Sequence, residues 1–145
     1  MSRQNRRFQF ADVAQQFVGG FLFAGPFVVT DEVWWLASNM SWLHALVAVG
    51  IVFAIGYGAL YEADDDRDPD HEASIIGLPL RFISLIIIAF SSVLLLAFTF
   101  NSPATFIPGH NEVVTTSVYV AVTFKAISVS AVFSVVGAAT ADSVF

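Results

Sequence analysis

Residues 81–100 read RFISLIIIAFSSVLLLAFTF, with no ionisable group after Arg81. Crossing the hydrocarbon of a bilayer takes roughly 20 mainly apolar residues in a helix, so a transmembrane helix is predicted over about 78–100. Three more stretches meet the requirement, at about 17–36, 42–61 and 114–139. A β-barrel would need short segments of alternating polarity, which the chain lacks. Composition agrees: of 145 residues 57% are hydrophobic and 12% charged, with a mean hydropathy of +0.74. Soluble domains carry about 25% charged residues, so an ordinary soluble globule is excluded, and the apolar content excludes a disordered chain. The length suits one domain, residues 1–145. The expected fold class is an all-α membrane protein with four transmembrane helices.

The connections are short and readable. Ser38-Asn39-Met40-Ser41 predicts a tight antiparallel hairpin of the first two spans. Asn101-Ser102-Pro103 should end the third span, and Pro108-Gly109 should make a second turn in the same loop. No internal repeat relates the two hairpins, so an inverted-repeat transporter is not expected. Orientation follows from Lys and Arg placement. Arg3, Arg6, Arg7, Arg67 and Arg81 fall on one side of a four-span topology, leaving only Lys125 inside a span. Both termini and the 62–77 loop are therefore expected to be cytoplasmic, in a multi-pass protein of the cell membrane. A cleaved signal peptide is disfavoured, because Asp12, Gln15 and Gln16 precede the apolar run and no small-x-small site follows it. Phe8, Phe10, Val13 and Phe17 recur at helical spacing, which predicts an interfacial helix or an extension of the first span.

Charge is concentrated. Glu62, Asp64, Asp65, Asp66, Asp68, Asp70 and Glu72 supply seven of the twelve carboxylates, and the formal net charge is −6. With no basic face to neutralise phosphates, nucleic-acid binding is disfavoured. The alternating acids resemble a calcium loop only superficially, since Pro69 and Ile75 stand where its glycine and final glutamate belong. The loop reads as a solvated segment of a halophilic protein or as a cation collector at a cytoplasmic mouth.

An ionisable group inside a bilayer costs at least about 2.5 kcal/mol on insertion scales, so a retained one usually has a partner or a task. Asp31 and Glu32 in the first span and Lys125 in the fourth are the candidates. Pro26 removes one backbone hydrogen bond and is expected to kink the first span, freeing the carbonyl of Leu22. Freed carbonyls with Thr30, Asp31 and Glu32 would suit a hard cation. The alternative is that the helix ends near Thr30, leaving both acids among headgroups. Trp34, Trp35 and Trp42 fit an outer aromatic belt. Lys125 is expected to pair with Asp31 or Glu32, or to serve as a counter-charge in a polar pathway with the serines and threonines of its helix.

No catalytic or cofactor motif is present, the chain has no cysteine, and His44, His71 and His110 have no metal-ligand spacing. Neither enzyme activity nor a cofactor or metal is expected. Gly50, Ala54 and Gly58 in the second span, and Ala126, Ser130, Ser134 and Ala138 in the fourth, make small-xxx-small stripes for close helix packing. Gly20 and Ala24 make a shorter one in the first span. The bulky third span should then face lipid, and the surplus of stripes predicts a homo-oligomer.

The stretch Gly25-Pro26-Phe27-Val28-Val29-Thr30-Asp31-Glu32-Val33-Trp34-Trp35 resembles the first span of a prokaryotic family of integral membrane proteins of unknown function. Its pattern runs Gly-x-Pro, Thr-x-Glu, Trp-Trp. The resemblance covers about a dozen residues, singles out Pro26, Thr30, Glu32 and Trp34, and implies no established activity. The expected function is a small oligomeric channel or ion-coupled transporter for inorganic cations. Thr30, Asp31 and Glu32 would form its outer site, and Lys125 its deeper charge. The alternative is a non-conducting structural or accessory subunit of a membrane complex.

Overall fold

The computed structural model describes residues 10–62, 74–75 and 78–144. The arginines at 3, 6, 7 and 67, the acidic run from 64 to 72 and His71 lie outside the described residues. The described residues form six α-helices in order: α1 Phe10–Val28, α2 Asp31–Asn39, α3 Trp42–Tyr57, α4 Leu80–Thr99, α5 Ser102–His110 and α6 Thr116–Val144. A π-helical turn, Gly58–Glu62, extends α3. A two-residue antiparallel pairing, β1 Ser74–Ile75 with β2 Leu78–Pro79, leads into α4.

The second and third predicted spans are α3 with its π turn, and α4. The fourth begins close to its expected start but runs on to Val144. The first predicted span is not one helix. It breaks at Val29-Thr30, and α2 leaves α1 at 76°. Among the described residues three helices are long and apolar enough to cross a membrane separately, and the bent α1–α2 pair qualifies as a fourth when taken together. With 19 residues, α1 measures about 28 Å, close to the hydrocarbon thickness of roughly 30 Å. Its length is therefore near that of a crossing, but it is apolar enough only when taken together with α2.

Pro26 sits inside the last turn of α1, and the chain breaks after it, at residues 29–30. Thr30 has an extended backbone, and Asp31 and Glu32 occupy the first turn of α2, where negative charge complements the helix dipole. Residues 102–110, expected as a loop with a turn at Pro108-Gly109, instead form α5. Asn101 ends the preceding turn in the left-handed region with φ 56, which asparagine tolerates better than most residues. Pro103 then sits in the first turn of α5, where a missing N–H costs nothing.

The main packing unit is α1, α4 and α6, with α1 and α6 the most extensive pair. Each helix presents a stripe at four-residue spacing. On α4 it is Arg81, Leu85, Ala89, Val93 and Ala97; on α6 it includes Ala126, Ser130, Ser134, Ala138 and Asp142; on α1 it is Asp12, Gln16, Gly20, Ala24 and Val28. All are buried. Rows at i±4 form the ridges that interlock between packed helices. At the tightest crossing a Cβ added to Gly19 would overlap the carbonyl of Gly137, and one added to Gly137 would overlap that of Gly19. Glycine is required at both positions because the two backbones touch.

The expectation that the third span faces lipid is therefore corrected. Over its most apolar 18-residue window 44% of α4 is buried, against 28% for α3, so α3 is the peripheral helix. Its stripe is corrected too. Gly50 and Ala54 are exposed, and a Cβ on Gly50 or Gly58 would meet nothing within 4 Å. Gly56 is the packed glycine of this helix, against Leu85, Ile86 and Val135.

Candidate functional site

Two ends of the bundle differ sharply in chemistry. At the terminal end α1 and α4 begin and α6 finishes. At the elbow end α1 bends into α2, α3 begins, and α5 packs beside α2.

The expected site residues lie at the elbow end. Thr30 donates its hydroxyl to the carbonyl of Phe27 at 2.7 Å, and the Trp34 indole donates to the carbonyl of Val28 at 2.8 Å. The carbonyls of Phe27 and Val28 at the helix break thus each accept from a side-chain donor. Trp34 is fully buried against Phe106 of α5, with ring centroids 6.4 Å apart, so it is a core residue rather than part of an aromatic belt. Trp35 and Trp42 are exposed. Asp31, with 55% of its side chain exposed, meets His110 Nε2 of α5 at 2.7 Å. Asn111 donates to Ser38 at 3.1 Å, further tying the α5 end to α2. Glu32 is exposed in the first turn of α2.

Lys125 is not paired with either acid. Its ammonium stands 5.0 Å from the ring centroid of Trp42, in a cation–π contact. A lysine can extend along apolar surface to place its charge near a ring at the membrane boundary, and Trp42 opens α3 at the elbow end. His44 accepts from the backbone N–H of Ser41 while Ser41 accepts from that of His44, so its role is a capping box for α3. Thr30, Asp31, Glu32 and Lys125 are therefore not assembled around one point. Pro26 is near the break but is not itself the bend. Ser130 and Ser134 are fully buried on α6.

At the terminal end the three stripes all finish in charge. Arg81 Nη1 donates to Asp142 Oδ1 at 2.6 Å, and Arg81 Nη2 to Asp12 Oδ2 at 3.3 Å. Gln16 Nε2 donates to the other oxygen of Asp142 at 3.3 Å. Ser84, one turn after Arg81, donates to Gln16 Oε1 at 2.8 Å. Asp12, Gln16 and Asp142 are fully buried, and Arg81 is 3% exposed. Asp12, Arg81 and Asp142 also make interactions beyond these. Because α1, α4 and α6 each contribute a member, the cluster ties together the whole packing unit.

Above this cluster, α6 carries further buried hydroxyls. Ser134 donates across to the carbonyl of Ala89 on α4 at 3.0 Å, and a Cβ on Gly20 would approach both Ser134 and Ser92. Ser130 and Thr123, higher on the same helix, are buried with no hydrogen-bond partner for their hydroxyls. A buried polar group without a partner costs roughly 1–3 kcal/mol. Among the described residues no group of three His, Cys, Asp or Glu side chains is placed to hold a metal ion.

Sequence reasoning placed Asp12 and Gln16 before the first span, treated Arg81 as a flanking charge, and stopped the α6 stripe at Ala138. The signal was present in the spacing. Counting back by four from Ala24 and Gly20 reaches Gln16 and Asp12, and counting on from Ala138 reaches Asp142.

No curated protein and no solved structure matches the chain. Residues 12–70 match a family model described as "Putative integral membrane protein (DUF2391)". That match runs from Asp12 through α1, α2 and α3, the break at residues 29–30 included. Together with several long apolar helices, it identifies the chain as an all-α integral membrane protein.

Proposed function

We propose that this protein is a small ion-coupled transporter. The observation that carries the reading is the buried Asp12–Arg81–Asp142 cluster, set at the foot of three packed helices. Ionisable residues held in the interior of a membrane bundle characteristically mark ion or proton pathways. The hydroxyls of Ser134, Ser130 and Thr123 continue the polar line along α6 toward the elbow end. A broken first span supports the same reading, since discontinuous helices are recurrent in transporters. A channel along an oligomer axis is less well supported. The outward faces of the spans carry apolar side chains such as Leu46, Ile51, Ile87, Leu95 and Phe124, which offer an ion no ligands.

In this reading the acid that matters on the first span is Asp12, and Asp31 and Glu32 form an outer vestibule. The arginine bias places the terminal end on the cytoplasmic side of the cell membrane, and the acidic composition suits a salt-adapted source. A second reading is favoured by one observation. Gly50 and Ala54 leave a shallow open face on α3, suited to close approach by a helix of another copy or of a larger complex. The protein would then be a non-conducting accessory subunit.

Reconstitution separates the two. Liposomes containing the purified protein should show cation or proton flux, lost in Asp12→Asn and Asp142→Asn but retained in Asp31→Asn. Absence of flux from folded wild type, with a membrane partner co-purifying, would establish the accessory reading instead.

A further inference from the structure

We infer that Lys125 and Trp42 form a binding site on the α3–α6 seam for the phosphate of an anionic phospholipid, in the leaflet at the elbow end. The inference stands apart from the transport reading, because it uses neither the buried cluster nor any ion flux.

Depth is the first observation. The α3 crossing, Trp42–Tyr61, has 20 residues and measures about 30 Å, the thickness of the hydrocarbon layer. Trp42, its first residue, is therefore level with the boundary between hydrocarbon and headgroups. The ring of Phe124 lies 5.8 Å from that of Trp42, which brings this stretch of α6 to the same level. The Lys125 ammonium, 5.0 Å from the Trp42 ring centroid, is thus held at the depth where lipid phosphates begin.

Uncommitted donors are the second. An ammonium carries three N–H donors and no acceptor, and an indole carries one N–H. Among the described residues the Lys125 ammonium has neither a hydrogen-bond acceptor nor a carboxylate partner, and rests on the Trp42 ring alone. A ring face attracts the charge but offers no lone pair. The Trp42 indole N–H, unlike that of Trp34, donates to no group among the described residues. Of the acids at this end, Asp31 meets His110, and Glu32 and Glu112 are exposed. Two donor groups side by side with no acceptor select an anion, and the ammonium repels a cation.

The surroundings select a lipid over a soluble anion. Phe124 and Leu43 are exposed beside the pair, Leu46 lies one turn into the membrane from Trp42, and Val129 one turn on from Lys125. A free anion would shed water against these side chains and gain nothing from them, whereas a phospholipid brings acyl chains that cover them. Its phosphodiester accepts a charge-assisted hydrogen bond from the ammonium and a second bond from the indole edge. A zwitterionic lipid has the same phosphate but sets its own quaternary ammonium beside Lys125, which weakens the attraction.

Native mass spectrometry of the purified chain, titrated with phosphatidylglycerol or phosphatidylcholine, tests the site. Arg3, Arg6 and Arg7 are present in every variant, so the readout is the difference from wild type. Lys125→Gln should bind phosphatidylglycerol about fivefold more weakly and phosphatidylcholine almost as wild type does. Lys125→Arg should keep the wild-type preference. Trp42→Phe retains a ring for the ammonium but removes the N–H, and should weaken phosphatidylglycerol binding about twofold. Unchanged phosphatidylglycerol binding in Lys125→Gln overturns the site, and so does an equal loss for both lipids. Inorganic phosphate that displaces the lipid at matching concentration overturns the lipid assignment in favour of a soluble anion. If Lys125→Gln does not fold, Trp42→Phe decides, and unchanged phosphatidylglycerol binding there overturns the site.

Discussion

The two ends of the bundle handle charge in opposite ways. At the terminal end, Asp12, Arg81 and Asp142 are buried, multiply hydrogen-bonded and contributed by three different helices. At the elbow end, Asp31 and Glu32 are exposed, Lys125 leans on the face of Trp42, and the sharpest polar contact is a half-exposed one with His110. Desolvation makes the difference. A charge that keeps its water can lose its partner cheaply, whereas a charge without water cannot.

The comparison breaks most visibly through Arg81. Replacing it by Gln leaves the buried carboxylates without their guanidinium, and removing one partner of a buried pair typically costs about 3–5 kcal/mol. Thermal unfolding in detergent should show Arg81→Gln as the most destabilised of the set, with Lys125→Gln at the opposite end losing about 0.5–1 kcal/mol from its cation–π contact. Equal losses would erase the distinction between the ends.

Next in size is the helix crossing. Gly137→Ala would drive a methyl group into the backbone of Gly19 and the ring of Phe23, and overpacking of this kind costs roughly 1–3 kcal/mol. Gly50→Ala, on the open face of α3, should stay within about 0.5 kcal/mol of wild type. If Gly50→Ala instead shifts the species seen by native mass spectrometry, that face is in use between copies.

A smaller effect is expected at the elbow. Trp34→Phe keeps the ring but loses the hydrogen bond to the Val28 carbonyl, worth about 1 kcal/mol. Hydrogen exchange should quicken in α2 and leave the first turns of α1 unchanged. Smallest of all, Asp31→Asn removes a contact whose acid is 55% exposed, and exposed pairs contribute at most about 1 kcal/mol. Melting of Asp31→Asn should be nearly that of wild type. A loss matching Arg81→Gln would mean that the elbow end is the ionic site after all.

The helical membrane fold was legible because apolar runs of span length are hard to mistake, as at residues 81–100. The register of the first span was not. Hydropathy centres a span on its most apolar residues and so preferred 17–36, placing Asp31 and Glu32 inside and Asp12 outside. The chain instead breaks at Val29-Thr30, where Thr30 and Trp34 satisfy the exposed carbonyls. Because α1 runs from Phe10 to Val28, Asp12 is buried against its neighbours while Asp31 and Glu32, beyond the break, are exposed. Composition alone cannot anticipate a break that depends on an indole reaching back six residues. The small-residue stripes were legible on α1 and α6, but their ends were cut where polarity began. The lipid-facing helix was misjudged because bulky side chains suit a bundle interior as well as they suit lipid. The small residues of α3 gave no sign that Gly50 and Ala54 lie on an open face while Gly56 is the packed one.

The unequal lengths of the crossing helices have a mechanical consequence. With 19 residues in α1 and 29 in α6, the two measure about 28 and 43 Å yet meet at Gly19, midway along α1, and Gly137, in the last third of α6. A bilayer fits only one of these rulers at a time. Thicker membranes suit α6 upright but must thin locally around the α1–α2 elbow, while thinner ones suit α1 and force α6 to lean. Mismatch costs fractions of a kcal/mol per ångström. Lipid chain length is therefore a physical variable to which the angle between these two helices must answer.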